Sequence, residues 1–298
     1  MDKSEKDSII DICVIPPLAE SFEGFANATG DFALYSQLYS SNLDKLAIER
    51  MRDEPTSYLL ELMDEAGVDI AIMPAEDAET TMGMKTPNEK VAELAKKAPD
   101  RLWGMAGVDP HKGERAIRDL EYAYHELGMK SLCLEPWLHK LRSNDKLYYP
   151  IYEKCVELGI VVWIHTSINF VPSLSMDFGR PIYLDEVAGQ FPELKIIAGH
   201  GGWPWVNELM AVLWRHSNVY MGISAVRPKY IGTPGTGWET LIQYGNSMLQ
   251  DKILFGTSWP AQPFKRTIEE LKALPLSEKV KKKWLGENAR RLFLSNNK

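Results

Sequence analysis

The sequence predicts an α/β protein, a (β/α)8 barrel of the TIM type formed as a single domain over residues 1–298, and three observations predict it. Short apolar runs rich in β-branched residues recur eight times, at 8–16, 68–74, 102–109, 130–136, 160–166, 195–199, 218–224 and 252–256. Amphipathic patterns with helical period fill intervals between them, at 55–66, 89–97, 114–127 and 147–158, and three stop on a glycine just before the next run: Gly67, Gly128 and Gly159. No GxGxxG turn follows the first run and no linker breaks the count, which favours a closed barrel over an open doubly wound sheet.

Composition bounds the partners. With 45% hydrophobic and 25% charged residues and a net charge of -7, the chain offers no electrostatic reason to bind nucleic acid or an anionic membrane. The expected partner is a small-molecule substrate, with a second copy of the chain, as a homodimer, the other candidate. Residues 1–7 are charged and no long apolar run follows, so neither a signal peptide nor a membrane anchor is expected, and a cytoplasmic location is. Cys13, Cys133 and Cys155 are far apart and odd in number, which suits reduced thiols.

In chain order, the first run is followed by a long aromatic-bearing stretch at 17–42 that is poor in helical period, and the fifth by a similar one at 167–180. Segments after barrel strands lie over the carboxyl-end mouth, so both are expected to be lid loops. The lysine-rich stretch at 277–294 is expected as two helices packed outside the barrel.

If the runs are strands, their ends gather Cys13, Glu76, Asp109, Glu135, His165, His200, Ser224 and Ser258 at one mouth. The sharpest signal is 195–205: an apolar run ends in His200, Gly201 and Gly202 turn the backbone, and Trp203 to Trp205 are expected to open a helix whose N–H groups face an anion. His165 closes the fifth run in the same way. A lone histidine is more often a hydrogen-bonded core residue, but two at equivalent heights point to proton transfer. His111, His125, His139 and His216 lie in helical or loop segments and are given no role. Glu135 interrupts an apolar strand end, where a carboxylate must be paired, solvated or functional. Trp137, Trp203 and Trp259, with Ser258, are the candidate substrate-binding residues for a flat ring, although packing explains many such tryptophans.

The ordered motifs, from Ile-Ile-Asp11 in the first run through Ile-His165-Thr, Ala-Gly-His200-Gly-Gly and Gly-Thr-Ser258-Trp-Pro to Leu-Gly-Glu-Asn-Ala-Arg-Arg-Leu-Phe near the end, resemble the amidohydrolase-related family. That group contains amino-carboxymuconate-semialdehyde decarboxylase, resorcylate-type decarboxylases and 2-pyrone-dicarboxylate lactonase. The resemblance implies a metal held by an Asp-x-His-x-His first strand, the fifth-strand histidine and an aspartate in the last motif. Here Cys13, Ile15 and Ser258 stand at three of those positions, His165 matches the remaining ligand, and His200 matches the acid/base. The resulting expectation is a hydrolase or decarboxylase of a small carboxylated cyclic or aromatic-derived compound. It is expected to be metal-independent and without a cofactor, with His200 as acid/base and His165, Glu135 and Cys13 beside it. The alternatives are a zinc site rebuilt from Cys13, His165 and Glu135 or His200, and a catalytically inactive binding homologue with a plugged pocket.

Overall fold

The eight apolar runs are eight parallel strands in the computed structural model, which describes residues 8–43 and 45–294. We number them β1 (Ile9–Asp11), β2 (Val68–Pro74), β3 (Leu102–Gly107), β4 (Ser131–Leu134), β5 (Val161–His165), β6 (Ile196–Gly199), β7 (Val219–Gly222) and β8 (Ile253–Leu254). They neighbour one another in that order. β1 and β8 meet just beyond their ends, where Val14 bridges Trp259 in parallel, Ile12 N–H donates to the Phe255 carbonyl at 3.1 Å, and Ser258 N–H donates to that of Cys13 at 2.8 Å. The sheet thereby closes on itself, leaving no exposed edge along the barrel.

Alternation along each strand divides the apolar core into two layers. On β5, Val161 and Trp163 join Ile10, Ile12, Ile72, Met105 and Ile197 inside the barrel, whereas Val162 and Ile164 pack outward beneath the helices. Trp163 is large for a barrel interior, and Gly199 makes room for it: a Cβ added there would lie 2.1 Å from the indole. The helices Pro55–Ala66, Asn88–Lys97, Glu114–His125 and Tyr149–Leu158 supply the outer layer. Gly67 and Gly159 end two of them in the left-handed conformation, at φ of 76° and 66°.

Three expectations change. Residues 17–42 are not a loop poor in helix but carry the helices Ala19–Ala26 and Ala33–Ser40, each only eight residues long, too short for a helical period to stand out along the sequence. The helix after β6 begins at Val206 rather than at Trp203. Trp205 N–H is already donated to the Gly202 carbonyl at 2.7 Å, so the anion-receiving start expected there is not formed by that residue. The last segment is helical from Glu278 to Leu294 through a π-turn at Lys283–Glu287, and it packs against the barrel's amino-terminal end, with Phe255 N–H donating to the Trp284 carbonyl at 2.9 Å. Residues 1–7, on which the expectation about leader sequences rested, lie outside the described residues. Among the described residues no helix is long and apolar enough to cross a membrane.

Candidate active site

Two adjoining chambers that share lining residues occupy the carboxyl end of the barrel. The inner one, about 70 Å³, is lined by Cys13, Glu76, Glu135, Trp137, Trp163 and Ser258 among others. The outer one, about 610 Å³, is walled by Phe170, Trp203, Tyr230 and Trp238 and includes Arg227. Tyr35, Tyr39, His165 and His200 line both. A chamber of the outer size suits a small cyclic ligand, whereas the inner one admits a polar substituent or a few waters.

His165 ends β5 and His200 follows β6, and their rings face each other edge to face at 4.8 Å between centroids. His200 sits at φ 63°, a left-handed conformation sparsely populated by non-glycine residues, and Gly201 and Gly202 continue it at 69° and 73°. The turn also needs glycine for space, because a Cβ on Gly201 would lie 2.6 Å from the Trp238 ring. The Nδ1 of His200 is 3.0 Å from the Ser224 carbonyl and 3.0 Å from its hydroxyl. A carbonyl only accepts, so Nδ1 carries the proton in that bond and Nε2 is left with its lone pair. Burial lowers His200 to about 4 and His165 well below its ordinary value, helped in the latter by the neighbouring imidazole. Burial thus favours the neutral form of both, and among the described residues the buried Nδ1 of His165 has no hydrogen-bond partner.

Glu135, just past β4, is buried and accepts from the Trp137 indole N–H at 2.6 Å. Glu76 starts a short hairpin after β2, Glu76–Ala78 with Met84–Thr86. Burial raises Glu76 to about 7, and burial together with the Glu76 charge raises Glu135 well above the carboxylate range. Tyr35 lies over them, its ring stacked on Trp137 at 5.5 Å and its hydroxyl accepting from Phe170 N–H at 3.3 Å. The segments after β1 and β5 therefore touch above the inner chamber.

Of the residues expected at the mouth, Cys13, Glu76, Glu135, His165, His200 and Ser258 line the inner chamber, and Ser224 anchors His200. Cys13 is a buried thiol 3.5 Å from the Ser258 hydroxyl, and burial pushes it up to about 12, so it stays protonated. Asp109 is instead a structural acceptor for the N–H groups of Thr80 and His111. Trp137 and Trp203 line the chambers; Trp259 does not, and stacks on Phe264 at 6.0 Å in the core. Tyr35, Tyr39 and Arg227 are site residues that the sequence does not single out, and Trp163 is visible there only as one of several tryptophans near strand ends. For Trp163 a signal exists: it stands two residues before His165 and so shares its face of the strand.

The amidohydrolase family profile matches residues 43–294. The chain belongs to the amidohydrolase family. It is 27% identical over 285 residues to gamma-resorcylate decarboxylase of Polaromonas sp. strain JS666, a match covering 79% of this chain and 86% of that one. A TIM-barrel protein of Bordetella bronchiseptica superposes with a TM-score of 0.76 at 26% identity, over 96% of this chain and 98% of that one. The dihydroxybenzoic acid decarboxylase of Polaromonas sp. JS666, with bound manganese and the inhibitor 2-nitroresorcinol, superposes with a TM-score of 0.66 at 21% identity, over 98% of each chain.

That manganese corrects one expectation: the absence of a cofactor does not describe this family, whose solved members include metal-bound enzymes. The donors of this chain nevertheless do not match a manganese centre. A hard cation wants several oxygen or nitrogen ligands. Ile15 has none, and Cys13 and Ser258 are a protonated thiol and a neutral hydroxyl. Asp11 spends its oxygens on the N–H groups of Cys13 and Thr257 and on the Thr257 hydroxyl at 2.6 Å. Among the described residues no three His, Cys, Asp or Glu side chains converge to hold an ion, which applies equally to the zinc set of Cys13, His165 and Glu135 or His200. The chemistry these side chains offer by themselves is proton transfer.

Proposed function

We propose that this chain decarboxylates a small carboxylated aromatic or ring-derived acid, with His200 as the proton-exchanging group beside the scissile bond. The observation that carries the reading is the facing pair His165 and His200, which line both a ring-sized chamber and a small one that holds two carboxyl groups. The ring occupies the outer chamber between aromatic walls, with its carboxylate toward the histidines. Neutral His200 then accepts a proton from a ring hydroxyl or equivalent acidic group through Nε2, which pushes electron density toward the carbon that bears the carboxylate. The likeness to gamma-resorcylate decarboxylase supports the same class of substrate. Two open chambers count against the inactive homologue, which calls for a plugged pocket.

The test is CO2 release from a panel of hydroxylated benzoic acids, 2,6-dihydroxybenzoate included, assayed with manganese present so that the ion found in relatives is available. At least one acid is expected to release CO2 in proportion to enzyme. No release from any of them overturns the reading.

A further inference from the structure

Decarboxylation replaces a carboxyl group by a proton, and the proton that His200 takes from the ring hydroxyl has to return to that oxygen, so the ring carbon needs a second source. We propose that Glu76 and Glu135 form a proton-sharing pair in the inner chamber, and that Glu135 is the acid which protonates the ring carbon as CO2 leaves. The proposal rests on the decarboxylase reading and adds the group that completes it.

Geometry carries the argument. Both carboxyl groups line the same chamber of about 70 Å³. The groups around them are Cys13 beyond β1, Cys133 on β4, Tyr35 and Tyr39 from the helix Ala33–Ser40, Trp137, and His165 on β5. No lysine or arginine lines the chamber, and among the described residues no cation pairs with either glutamate. Two uncompensated anions in one small chamber are costly, so the first proton is held firmly and is shared by the pair. Trp137 Nε1 donates to Oε2 of Glu135 at 2.6 Å, and Cys133 Sγ makes only a long contact of 3.9 Å to Oε1, so Oε1 is the more lightly bound oxygen and the one we assign the proton. The weakened acidity of both groups agrees with this arrangement.

The step balances. The O–H bond of Glu135 breaks and a C–H bond forms at the substituted ring carbon. The bond from that carbon to the carboxylate then breaks, its electron pair returning to the ring, and CO2 departs. Glu135 is left as a carboxylate, His200 returns its proton to the ring oxygen, and the glutamate pair takes up one proton from water before the next turnover. No oxidant or second reactant is needed.

The test combines infrared spectroscopy with turnover on the full chain. The carbonyl stretch of a protonated carboxylic acid is read at pH 5 to 9 in the wild type, Glu135→Gln and Glu76→Gln. Difference spectra between wild type and variant remove the contribution of Asp11, which burial also raises to about 7. One protonated carboxyl is expected at pH 7 that vanishes in Glu135→Gln, and a second that appears as the pH falls through about 7 and is absent in Glu76→Gln. Glutamine keeps the bond from Trp137, so the fold is expected to survive. Turnover by Glu135→Gln should drop ~10²–10⁴-fold with KM little changed, and Glu135→Asp should recover part of it. Glu76→Gln removes the neighbouring charge that holds the Glu135 proton, so the alkaline limb of the rate profile should move to lower pH, an effect that a merely structural glutamate does not produce. Absence of the pH 7 carboxyl band overturns the shared proton. Wild-type turnover by Glu135→Gln overturns its role as acid. If the wild type releases no CO2 from any acid, the decarboxylase reading and the acid role fall together, while the infrared bands still decide the pair.

Discussion

The inner and outer chambers share four side chains and differ in almost everything else. The inner is a tenth of the size and holds two carboxyl groups, a thiol and a hydroxyl with no cation. The outer is walled by aromatic rings, and its guanidinium, Arg227, is already bound to Glu270 at 2.6 Å. On the proposed function this separates recognition of shape from proton chemistry, with the histidines where the two meet. The separation is useful because low solvent exposure is what raises the glutamates and lowers the imidazoles, and a ring-sized cavity open to water sustains neither.

The substitution expected to break this arrangement most is His200→Asn, since His200 belongs to both chambers. Turnover on any acid the protein decarboxylates should fall ~10²–10⁴-fold, the usual contribution of a general acid–base group. Asparagine is chosen because it tolerates the left-handed backbone at this position better than most residues, so unfolding does not confound the result. His216→Asn is the control: His216 binds Asp185 at 2.7 Å outside both chambers, and its loss should leave turnover unchanged.

Tyr35→Ala removes part of the wall between the chambers, since its ring stacks on Trp137 at 5.5 Å and meets Phe170 at 5.8 Å. Water then reaches the glutamates. We expect a loss of roughly 1–3 kcal/mol in urea unfolding, from lost apolar burial and aromatic pairing, and a weaker protonated-carboxyl band at pH 7. An unchanged band with a destabilised fold would mean that Tyr35 packs the lid without keeping the inner chamber dry.

How much of this is legible in the sequence differs between the chambers for physical reasons. Strand periodicity and the polar ends of apolar runs expose all eight strands and the positions of His165, His200 and Glu135, because those signals are local. Ser258 and Trp259 show the limit of such reasoning: adjacent residues beyond a strand turn opposite ways, so Ser258 enters the inner chamber while Trp259 packs against Phe264. Tyr35 and Tyr39 lie one turn apart on a helix of only eight residues, and the approach of Tyr35 to Trp137 is a long-range contact. The pairing of Glu76 with Glu135 likewise needs two separate strands to converge, which no spacing along the chain encodes. The metal positions teach a different lesson. Substituted ligands at Cys13, Ile15 and Ser258 suggest the loss of any cofactor, but a donor mismatch within one chain does not revise the chemistry of its relatives, which include manganese-bound enzymes.

A smaller effect tests the inner chamber by stability alone. Glu76 is raised to about 7 in the folded chain from an ordinary 4.5, so the folded state holds its proton more tightly than the unfolded state does. The stability this contributes is fully present below about 4.5 and is lost as the pH rises through 7. Glu76→Gln should therefore match the wild type near pH 4 and exceed it at pH 8, by on the order of 1–3 kcal/mol, because each tenfold difference in proton affinity between the two states is worth ~1.4 kcal/mol. Urea midpoints across that range measure it, and a variant less stable than the wild type at pH 8 would show that the carboxylate is favourably held after all.

The smallest effect should come from the outer chamber, at Trp203. The side chain is 40% exposed, and its indole N–H makes only a long contact to the Thr236 carbonyl, at 3.4 Å. The local structure depends instead on its backbone carbonyl, which accepts from Ile168 N–H at 3.1 Å and from the Ser167 hydroxyl at 2.9 Å; both bonds survive truncation. Trp203→Ala should accordingly alter stability by no more than about 0.5 kcal/mol, as for an ordinary surface substitution. What it removes is one aromatic wall for the substrate ring, and a ring pair contributes about 0.5–1.5 kcal/mol beyond the area it buries. KM should rise roughly 2- to 10-fold with kcat nearly constant, because this contact is made equally in the ground state and the transition state. If kcat falls instead while KM holds, Trp203 positions the carboxylate against His200, and the division between a chamber that recognises and a chamber that reacts fails at that residue.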